Sequence, residues 1–317
     1  MPKPSSVVYT GVAATVSKPT TNWASLSKRA TPYLLVLPAL AVVAVTVFYP
    51  IAWAVSLSTH QFVLYRPNDT PFVGLGNFER AFADEVFWLS LQQTGIWVVA
   101  IVVSQLFLGF FGALALNEPY RGRGLVRAVV LIPWITPSIL TALMWRWMYN
   151  VNYGVINHTL VGLGLLPRHV GFLSEPDLAL FSVIAVVIWS GTPFFTVMLL
   201  AAMQAIPDEL YEAAKIDGAS AVQRVRYVTI PFIAPTIAVT SLLRIIWVAN
   251  YVDVLFAMTG GGPGYASMTL PVYIFIKAQA ALDMGYGSAM ALCLAAILIA
   301  IVSLYLWMLN RLEVQVR

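Results

Sequence analysis

Six long apolar runs, separated by shorter polar segments, dominate the hydrophobic pattern of this chain. A helix needs roughly 20 mostly apolar residues to cross the hydrocarbon core of a bilayer, and each run is about that long. The pattern therefore predicts an all-α, polytopic membrane protein with about six transmembrane helices. The runs cover about Tyr33–Leu57, Thr94–Leu116, Ala128–Met148, Leu178–Met203, Phe232–Met258 and Ser288–Leu309.

The runs divide the chain into three parts. Residues 1–32 are rich in Ser, Thr and Pro, and we expect a flexible cytoplasmic tail, although this segment could also lie along the membrane surface. Residues 33–309 hold the predicted transmembrane domain, and residues 310–317 form a cytoplasmic C-terminal end. The first run is too long for the apolar core of a signal peptide and lacks a convincing small-residue cleavage site, so we count it as a span.

Composition supports a membrane protein and excludes two other classes. Hydrophobic residues make up 60% of the chain and charged residues only 10%, whereas soluble domains carry about a quarter charged residues. Disordered chains are polar and charge-rich. The net charge of +4 resides in short clusters between apolar runs rather than on one face, so we expect contact with membrane lipid and no nucleic-acid partner.

The distribution of basic residues predicts the orientation, because cytoplasmic loops are enriched in Lys and Arg. The connections after the first, third and fifth runs lie on the side of the membrane opposite the termini and hold only Arg66, Arg80, Arg168 and Lys277. Both termini are therefore predicted to be cytoplasmic. Under this assignment one side of the membrane carries twelve of the eighteen basic residues, which are Lys3, Lys18, Lys28, Arg29, Arg121, Arg123, Arg127, Lys215, Arg224, Arg226, Arg311 and Arg317.

The three connections on the outer side are the longer ones. They cover about His60–Gln93, Tyr149–Asp177 and Thr259–Gly287 and contain turn-formers and aromatic residues. They could form a docking surface for an external partner, or they could simply cap the helix bundle.

The sequence offers no constellation for catalysis or metal binding. The three histidines fall in connecting segments without ligand spacing, and the single cysteine, Cys293, lies in an apolar run. Paired carboxylates and a nucleophile elbow are also missing. The sequence also lacks the phosphate-binding motif GxxxxGK(S/T). We therefore expect no catalytic residue, no metal site and no cofactor in this chain.

The polar segment at about residues 204–230 is the most informative connection. Pro207 and Asp208 suit a helix start, and Asp217-Gly218 should end that helix, since glycine accepts a left-handed conformation. A second short helix is predicted from Ala219 to about Val228, before the next span. The result is a cytoplasmic helix-turn-helix.

This segment resembles the EAA loop of permease subunits in binding-protein-dependent ABC importers. The residues that carry the resemblance are Glu212, Ala213, Ala214, Asp217, Gly218 and Ala219, followed by Val228, Thr229, Ile230 and Pro231. Further similarity lies in Trp189, Pro193 and Phe194, in the Pro133–Trp147 region, and in the Asp253–Pro263 segment, and it points to the maltose-type carbohydrate branch.

The resemblance implies a set of partners and a role for the loop. Importers of this family pair two permeases, here a heterodimer, with two copies of a cytoplasmic ABC ATPase that binds ATP and Mg, and with an extracytoplasmic sugar-binding protein. Glu212, Ala213, Ala214, Asp217 and Gly218 would lie in a cleft of that ATPase and couple it to the spans. Without the resemblance, the same segment could be an ordinary cytoplasmic amphipathic helix.

The fifth and fourth runs carry the candidates for a sugar path. At about 100° per residue, Arg244, Trp247 and Tyr251 would share one face of a helix with Asn250 beside them. Arg244 could instead snorkel towards the cytoplasm or brace a neighbouring helix. In the fourth run Gly191 could line the same path or mediate helix packing.

The predicted function is ATP-driven sugar uptake through the membrane of a bacterial cell, as a non-catalytic subunit. The sugar is expected to be a disaccharide or oligosaccharide, with trehalose as a candidate. The alternatives are a secondary transporter driven by an ion gradient and, as a second rival, a membrane-embedded hydrolase or transferase. An ion-coupled carrier should hold several acidic residues in its spans, whereas Asp253 is the only acid well inside a predicted one.

Overall fold

The computed structural model describes Tyr33 and residues 35–316, with side chains through Arg311. Within these residues the secondary structure is helical apart from two isolated β-bridges, His60 with Phe72 and Val63 with Asp283. The chain forms two compact units, divided between Trp53 and Ala54. The expectation for the tail at residues 1–32 lies outside the described residues.

Twelve helices are found in the described part of the chain. They are α1 (Leu35–Ser58), α2 (Gly76–Ala83), α3 (Glu85–Asn117), α4 (Arg123–Ile135), α5 (Ser138–Met148), α6 (Val155–Gly162), α7 (Pro176–Gln204), α8 (Asp208–Ile216), α9 (Ala221–Ala249), α10 (Asp253–Met258), α11 (Leu270–Phe275) and α12 (Met284–Val316).

Five of these helices are long and apolar enough to cross a membrane, and the bent pair α4 and α5 brings the number to six. The prediction of an all-α protein with about six spans is confirmed. The first unit contributes the greater part of α1, which contains a π-helical turn at Ala44–Phe48. The last helix extends beyond its predicted end at Leu309 and runs to Val316.

The third predicted span is not a single straight helix. Helices α4 and α5 meet at an angle of 92° across Thr136-Pro137. Pro137 biases the residue before it away from the helical region, and Thr136 is accordingly extended, with φ −72° and ψ 128°. Pro133 is tolerated inside α4. The bend separates the two halves of this span and opens space beside α7.

The fifth predicted span also differs from expectation at both ends. The second helix of the helix-turn-helix is not separate, because α9 begins at Ala221 and continues without a break to Ala249. A π-helical turn at Val225–Thr229 ends two residues before Pro231, where the missing proline N–H requires a change in backbone pairing. At the far end α9 stops at Ala249, and Asp253 starts the separate helix α10.

The core of the second unit lies between α3 and α7. Trp97 and Ile101 of α3 are buried with Val183 and Phe195 of α7 in one apolar cluster. The two backbones approach closely at Gly109, where a Cβ atom would overlap the side chain of Phe195. This close packing holds α3 and α7 together at the core of the second unit.

A polar cluster ties together the ends of α3, α11 and α12. The Asp84 carboxylate caps α3 by accepting from the N–H of Val86 at 2.9 Å. It also accepts from the hydroxyls of Tyr273 at 2.5 Å and Tyr286 at 2.7 Å. Burial tends to raise the pKa of Asp84, but these hydrogen bonds outweigh it and hold the pKa below its ordinary value.

Candidate substrate path and coupling loop

A polar cavity of about 200 Å³ lies beside the bend between α4 and α5. Helix α7 and the end of α9 form the other walls. Several residues with hydroxyl side chains line this space together with one arginine, a composition suited to a ligand rich in hydroxyls. The lining residues are Pro133, Trp134, Thr136, Ser138, Thr141, Ser190, Gly191, Arg244 and Tyr251.

A second cavity of about 400 Å³ continues from the same end of α9. It shares Arg244 and Tyr251 with the first cavity and adds Trp247 and Asn250. The structure therefore brings together all five residues that the sequence singled out for the path. The prediction that Tyr251 shares a helix face with Arg244 was wrong, however, because α9 ends at Ala249 and Tyr251 follows the helix.

Arg244 is held by a hydrogen bond across the bundle. Its Nε atom donates to Oε1 of Gln105 in α3 at 2.6 Å. Gln105 is fully buried, and its Nε2 atom donates to the carbonyl oxygen of Val187 in α7 at 2.6 Å. Arg244 thus both lines the cavities and braces a neighbouring helix, two interpretations that the sequence left as alternatives.

Gly191 leaves the space that the guanidinium occupies. A Cβ atom at this position would overlap Nη2 of Arg244 and Nε2 of Gln105. The close approach of these two side chains therefore requires glycine at this position. Gly191 both allows the helices to pack and shapes the cavity wall. Among the described residues Arg80 with Asp283 is the one salt bridge, and Arg244 is not part of it.

Aromatic rings extend from the cavity wall. Trp247 is 48% exposed and meets Phe194 edge-on, with ring centroids 5.3 Å apart. Phe194 in turn lies 6.1 Å from Trp134. Exposed aromatic faces beside polar donors are the two features that sugar rings require, since a sugar presents hydroxyls at its rim and apolar C–H groups on its faces.

Several residues at or behind the cavity wall were not among the sequence-based candidates, and Gln105, Trp134, Ser138 and Thr141 are examples. A polar side chain in the middle of a predicted span was the available signal for Gln105. Ser138 and Thr141 could not be placed, because their position depends on the bend at Pro137. Thr141 is only 1% exposed, and its hydroxyl has no hydrogen-bond partner among the described residues.

The loop between α7 and α9 has a defined turn. Gly218 has φ +76°, the left-handed conformation that favours glycine. Its N–H donates to the carbonyl of Lys215 at 3.0 Å, and the N–H of Ala219 donates to the carbonyl of Ala214 at 2.9 Å. These two bonds form a Schellman motif that ends α8. Ser220 then begins α9 with a capping box.

One side of α8 is anchored and the other is exposed. The hydroxyl of Tyr211 lies 3.0 Å from that of Thr229 in α9, and Tyr211 packs against the apolar cluster around Met203. Glu212 and Ala213 are exposed, and Ile216 is 86% exposed. The loop is therefore fixed to the bundle while presenting its other face outwards.

Metal chemistry has no candidate site in the described part of the chain, where no group of three or more His, Cys, Asp or Glu side chains could hold an ion. Cys293 is a free cysteine of intermediate exposure. The polar groups around Arg244 are suited to binding and orienting a ligand.

Comparison with known proteins places this arrangement in a family. Residues 105–317 match the family described as binding-protein-dependent transport system inner membrane component. A trehalose/maltose transport system permease protein, MalF, from Thermococcus litoralis is 39% identical over 86% of this chain and 92% of its own. The trehalose transport system permease protein SugA from Mycobacterium tuberculosis is 30% identical over 88% of this chain and 90% of its own.

Two further proteins extend the comparison. A sulfoquinovosyl glycerol transport system permease protein from Agrobacterium fabrum is 33% identical over 90% of this chain and 92% of its own. A chain of a bacterial alginate ABC transporter, crystallised with a pentasaccharide-bound periplasmic protein, has the same fold. It gives a TM-score of 0.78 at 23% identity and covers 92% of this chain and 98% of that chain.

These matches agree with the resemblance that the EAA loop carries. The matched region includes α8 with its turn as well as the cavity residues of α7 and α9. The chain therefore belongs to the family of binding-protein-dependent transport system inner membrane components.

Proposed function

We propose that this chain forms, with a second and different permease, the path for ATP-driven sugar uptake. The observation that carries the proposal is the meeting of Arg244, Gly191 and Tyr251 at one polar cavity within the apolar bundle. A charged group inside membrane spans is costly and marks a functional site by default. Hydroxyl groups of a sugar would complete the hydrogen bonds of the guanidinium.

The energy source in this proposal is another polypeptide. Two copies of a cytoplasmic ATPase would bind ATP and Mg, since this sequence contains no phosphate-binding loop. The exposed face of α8, with Glu212 and Ala213, would bind in a cleft of that ATPase. Because Tyr211 ties α8 to α9, movement of α8 would reach the helix that carries Arg244.

The proposed cargo is a disaccharide or oligosaccharide. Relatives at 30% and 39% identity are named for trehalose or for trehalose and maltose transport, which supports trehalose as the first sugar to test. An extracytoplasmic sugar-binding protein would deliver it. The proposed location is the inner or plasma membrane of a bacterial cell, with both termini cytoplasmic, as the distribution of basic residues indicates.

The test is sugar uptake by cells that express the complete importer with substitutions in the cavity wall. Trp247→Ala and Tyr251→Ala should lower the initial rate of radiolabelled trehalose uptake about ten-fold, because they remove a ring face and a hydroxyl from the path. Leu304→Ala in α12, an exposed apolar residue that lines neither cavity, is the control. Unchanged uptake in both cavity variants, at equal membrane abundance, would show that the path is misassigned.

A further inference from the structure

We propose that Gln105 is a positioning residue, which fixes the guanidinium of Arg244 at the cavity wall so that its remaining donors face the sugar. The inference rests on the proposed function, because it assigns a role within the same path. Gln105 lies on α3, is fully buried, and lines neither cavity that contains Arg244. Gln105 therefore has no direct contact with a ligand in either cavity, and Arg244 is the cavity residue whose side chain it bonds.

Arg244 keeps donors for a ligand after its bond to Gln105. A guanidinium carries five N–H donors in a planar fork. The Nε donor is used by Oε1 of Gln105 at 2.6 Å. This bond fixes the plane of the group, and within the described residues the two terminal nitrogens have no protein acceptor. Without it, the long arginine side chain would regain rotamer freedom and could snorkel away from the cavity.

The Gln105 amide has one orientation that suits both of its neighbours. Arg244 can only donate, so it requires the amide oxygen, and the carbonyl of Val187 can only accept, so it requires the amide nitrogen. This orientation is the one observed. The bond to α7 therefore fixes the orientation of the Gln105 amide, and the amide in turn holds the Arg244 side chain of α9.

Arg244, Gln105 and Gly191 come from three helices and occupy one volume. A Cβ atom at Gly191 would overlap both the Nη2 atom of Arg244 and the Nε2 atom of Gln105. Residues that act as such a unit show strongly non-additive effects when they are substituted.

The experiment is a double-mutant cycle on the complete importer in cells, measured as the initial uptake rate of radiolabelled trehalose at equal membrane abundance. Arg244→Met and Gln105→Met should each lower the rate about ten-fold or more, as expected for the loss of a hydrogen bond to a charged group. The double variant should be no slower than Arg244→Met alone. If the two effects multiply instead, Gln105 acts independently of Arg244 and the inference is overturned.

A matched control uses a second buried glutamine of the same helix. Gln93 is 8% exposed, and its amide nitrogen donates to the carbonyl of Tyr265 at 3.0 Å, away from Arg244. Any loss of uptake in Gln93→Met should therefore multiply with the effect of Arg244→Met. A cycle that is non-additive for Gln93 as well would indicate a general assembly defect and would overturn the assignment to Gln105.

Gln105→Glu separates positioning from helix packing. Glutamate keeps an oxygen acceptor for Nε of Arg244 but lacks the amide group that donates to Val187. Uptake within about three-fold of the unsubstituted importer supports positioning, because a charged acceptor preserves the bond to the guanidinium. A loss as large as that of Gln105→Met would show that the bond to α7 is what matters, and it would overturn the inference.

The unsubstituted importer distinguishes this inference from the proposed function. If it takes up trehalose while the Gln105 and Arg244 effects multiply, the proposed function stands and the role of Gln105 falls. If it takes up no trehalose and no other sugar, the proposed function fails and the inference that rests on it fails with it.

Discussion

At the scale of single residues, the central feature is one arginine that serves two purposes. Arg244 lines both cavities and donates a hydrogen bond to Gln105 on a neighbouring helix. A cation in an apolar bundle is stable only when polar groups surround it. Gln105 supplies one such polar group from the protein. The cavity beside Arg244 leaves space for a ligand to supply others.

Gly191→Ala should disrupt this site although it adds a single methyl group. Its Cβ would overlap the guanidinium of Arg244 and the amide of Gln105, so one of them must move. We expect the initial rate of sugar uptake to fall about ten-fold, as for the loss of a charged hydrogen bond. Gly95→Ala in α3 is the control, because a Cβ there would meet nothing within 4 Å. Normal uptake in Gly191→Ala would mean that the guanidinium need not occupy its observed place.

Asp84 should make the stability of the protein sensitive to acid. Its pKa is lowered in the folded state from an ordinary value of 3.8, so its contribution is complete above that value and is lost as the pH falls through the folded pKa. Asp84→Asn should destabilise the purified protein by about 1–3 kcal/mol at pH 7, because both tyrosine hydroxyls lose a charged acceptor.

Thermal unfolding in detergent as a function of pH measures this effect. The difference between Asp84→Asn and the unsubstituted chain should shrink towards strongly acidic pH, where both side chains are neutral. Asp69→Asn, at an exposed turn residue, should show no such difference. An Asp84→Asn variant as stable as the unsubstituted chain at pH 7 would contradict the structural role of this cluster.

The sequence predicted the residues of the site better than their geometry. Arg244 could be singled out because a charged residue in an apolar run is costly. Gln105 could not be paired with it, because the two are far apart in the chain and no periodicity relates residues of different helices. Thr141 and Ser138 were out of reach for the same reason, since their position depends on how α5 packs.

At the scale of helices and loops, the decisive feature is the Schellman turn at Gly218. The turn ends α8 and allows α9 to begin at Ala221. Its geometry was predictable, because Asp-Gly after a run of helix formers is a typical helix end. The continuity of α9 through the π-helical turn before Pro231 was not, since short-range signals there favour a break.

Gly218→Leu should uncouple the ATPase from transport while leaving the chain in the membrane. A left-handed conformation costs a residue with a side chain roughly 1–2 kcal/mol, so α8 should shift relative to α9. We expect sugar uptake to fall at least about five-fold, together with the stimulation of ATP hydrolysis by the binding protein. Both are measured in the purified, reconstituted complex.

Gly164→Leu is the matched control for this prediction. Gly164 also has a left-handed conformation, with φ +71°, and a Cβ atom at either glycine would meet nothing within 4 Å, but Gly164 lies between α6 and α7. Leucine should therefore cause similar backbone strain at both positions, but only Gly218 lies in the loop between α8 and α9. Equal losses in the two variants would mean that backbone strain, rather than the coupling loop, explains the effect of Gly218→Leu.

The bends in the spans depend on more than the hydrophobic pattern. Hydrophobic runs predicted the number of spans, because length and polarity decide whether a helix can cross a bilayer. They could not show that Thr136-Pro137 turns the third span by 92° or that the fifth stops at Ala249. A span tolerates such a break only where other groups satisfy the freed backbone N–H and C=O, and the hydrophobic pattern does not specify those groups.

As a subunit, this chain is a permease in which a candidate path is connected to a candidate coupling loop. The family match and the helical fold support its assignment as a permease. Its sequence lacks a GxxxxGK(S/T) phosphate loop, and we propose that a partner hydrolyses the ATP. The cavity around Arg244 and the exposed face of α8 are joined through α9, so in the proposed mechanism a movement of the loop would alter the path.

The most direct measurement is trehalose uptake into proteoliposomes that contain this chain with its partner permease and ATPase, with ATP inside and the sugar-binding protein outside. We predict uptake that requires hydrolysable ATP and the binding protein, and that stops when the ATPase is left out. Uptake at an undiminished rate without the ATPase, driven by a proton or sodium gradient, would contradict ATP-driven import and would favour a secondary transporter.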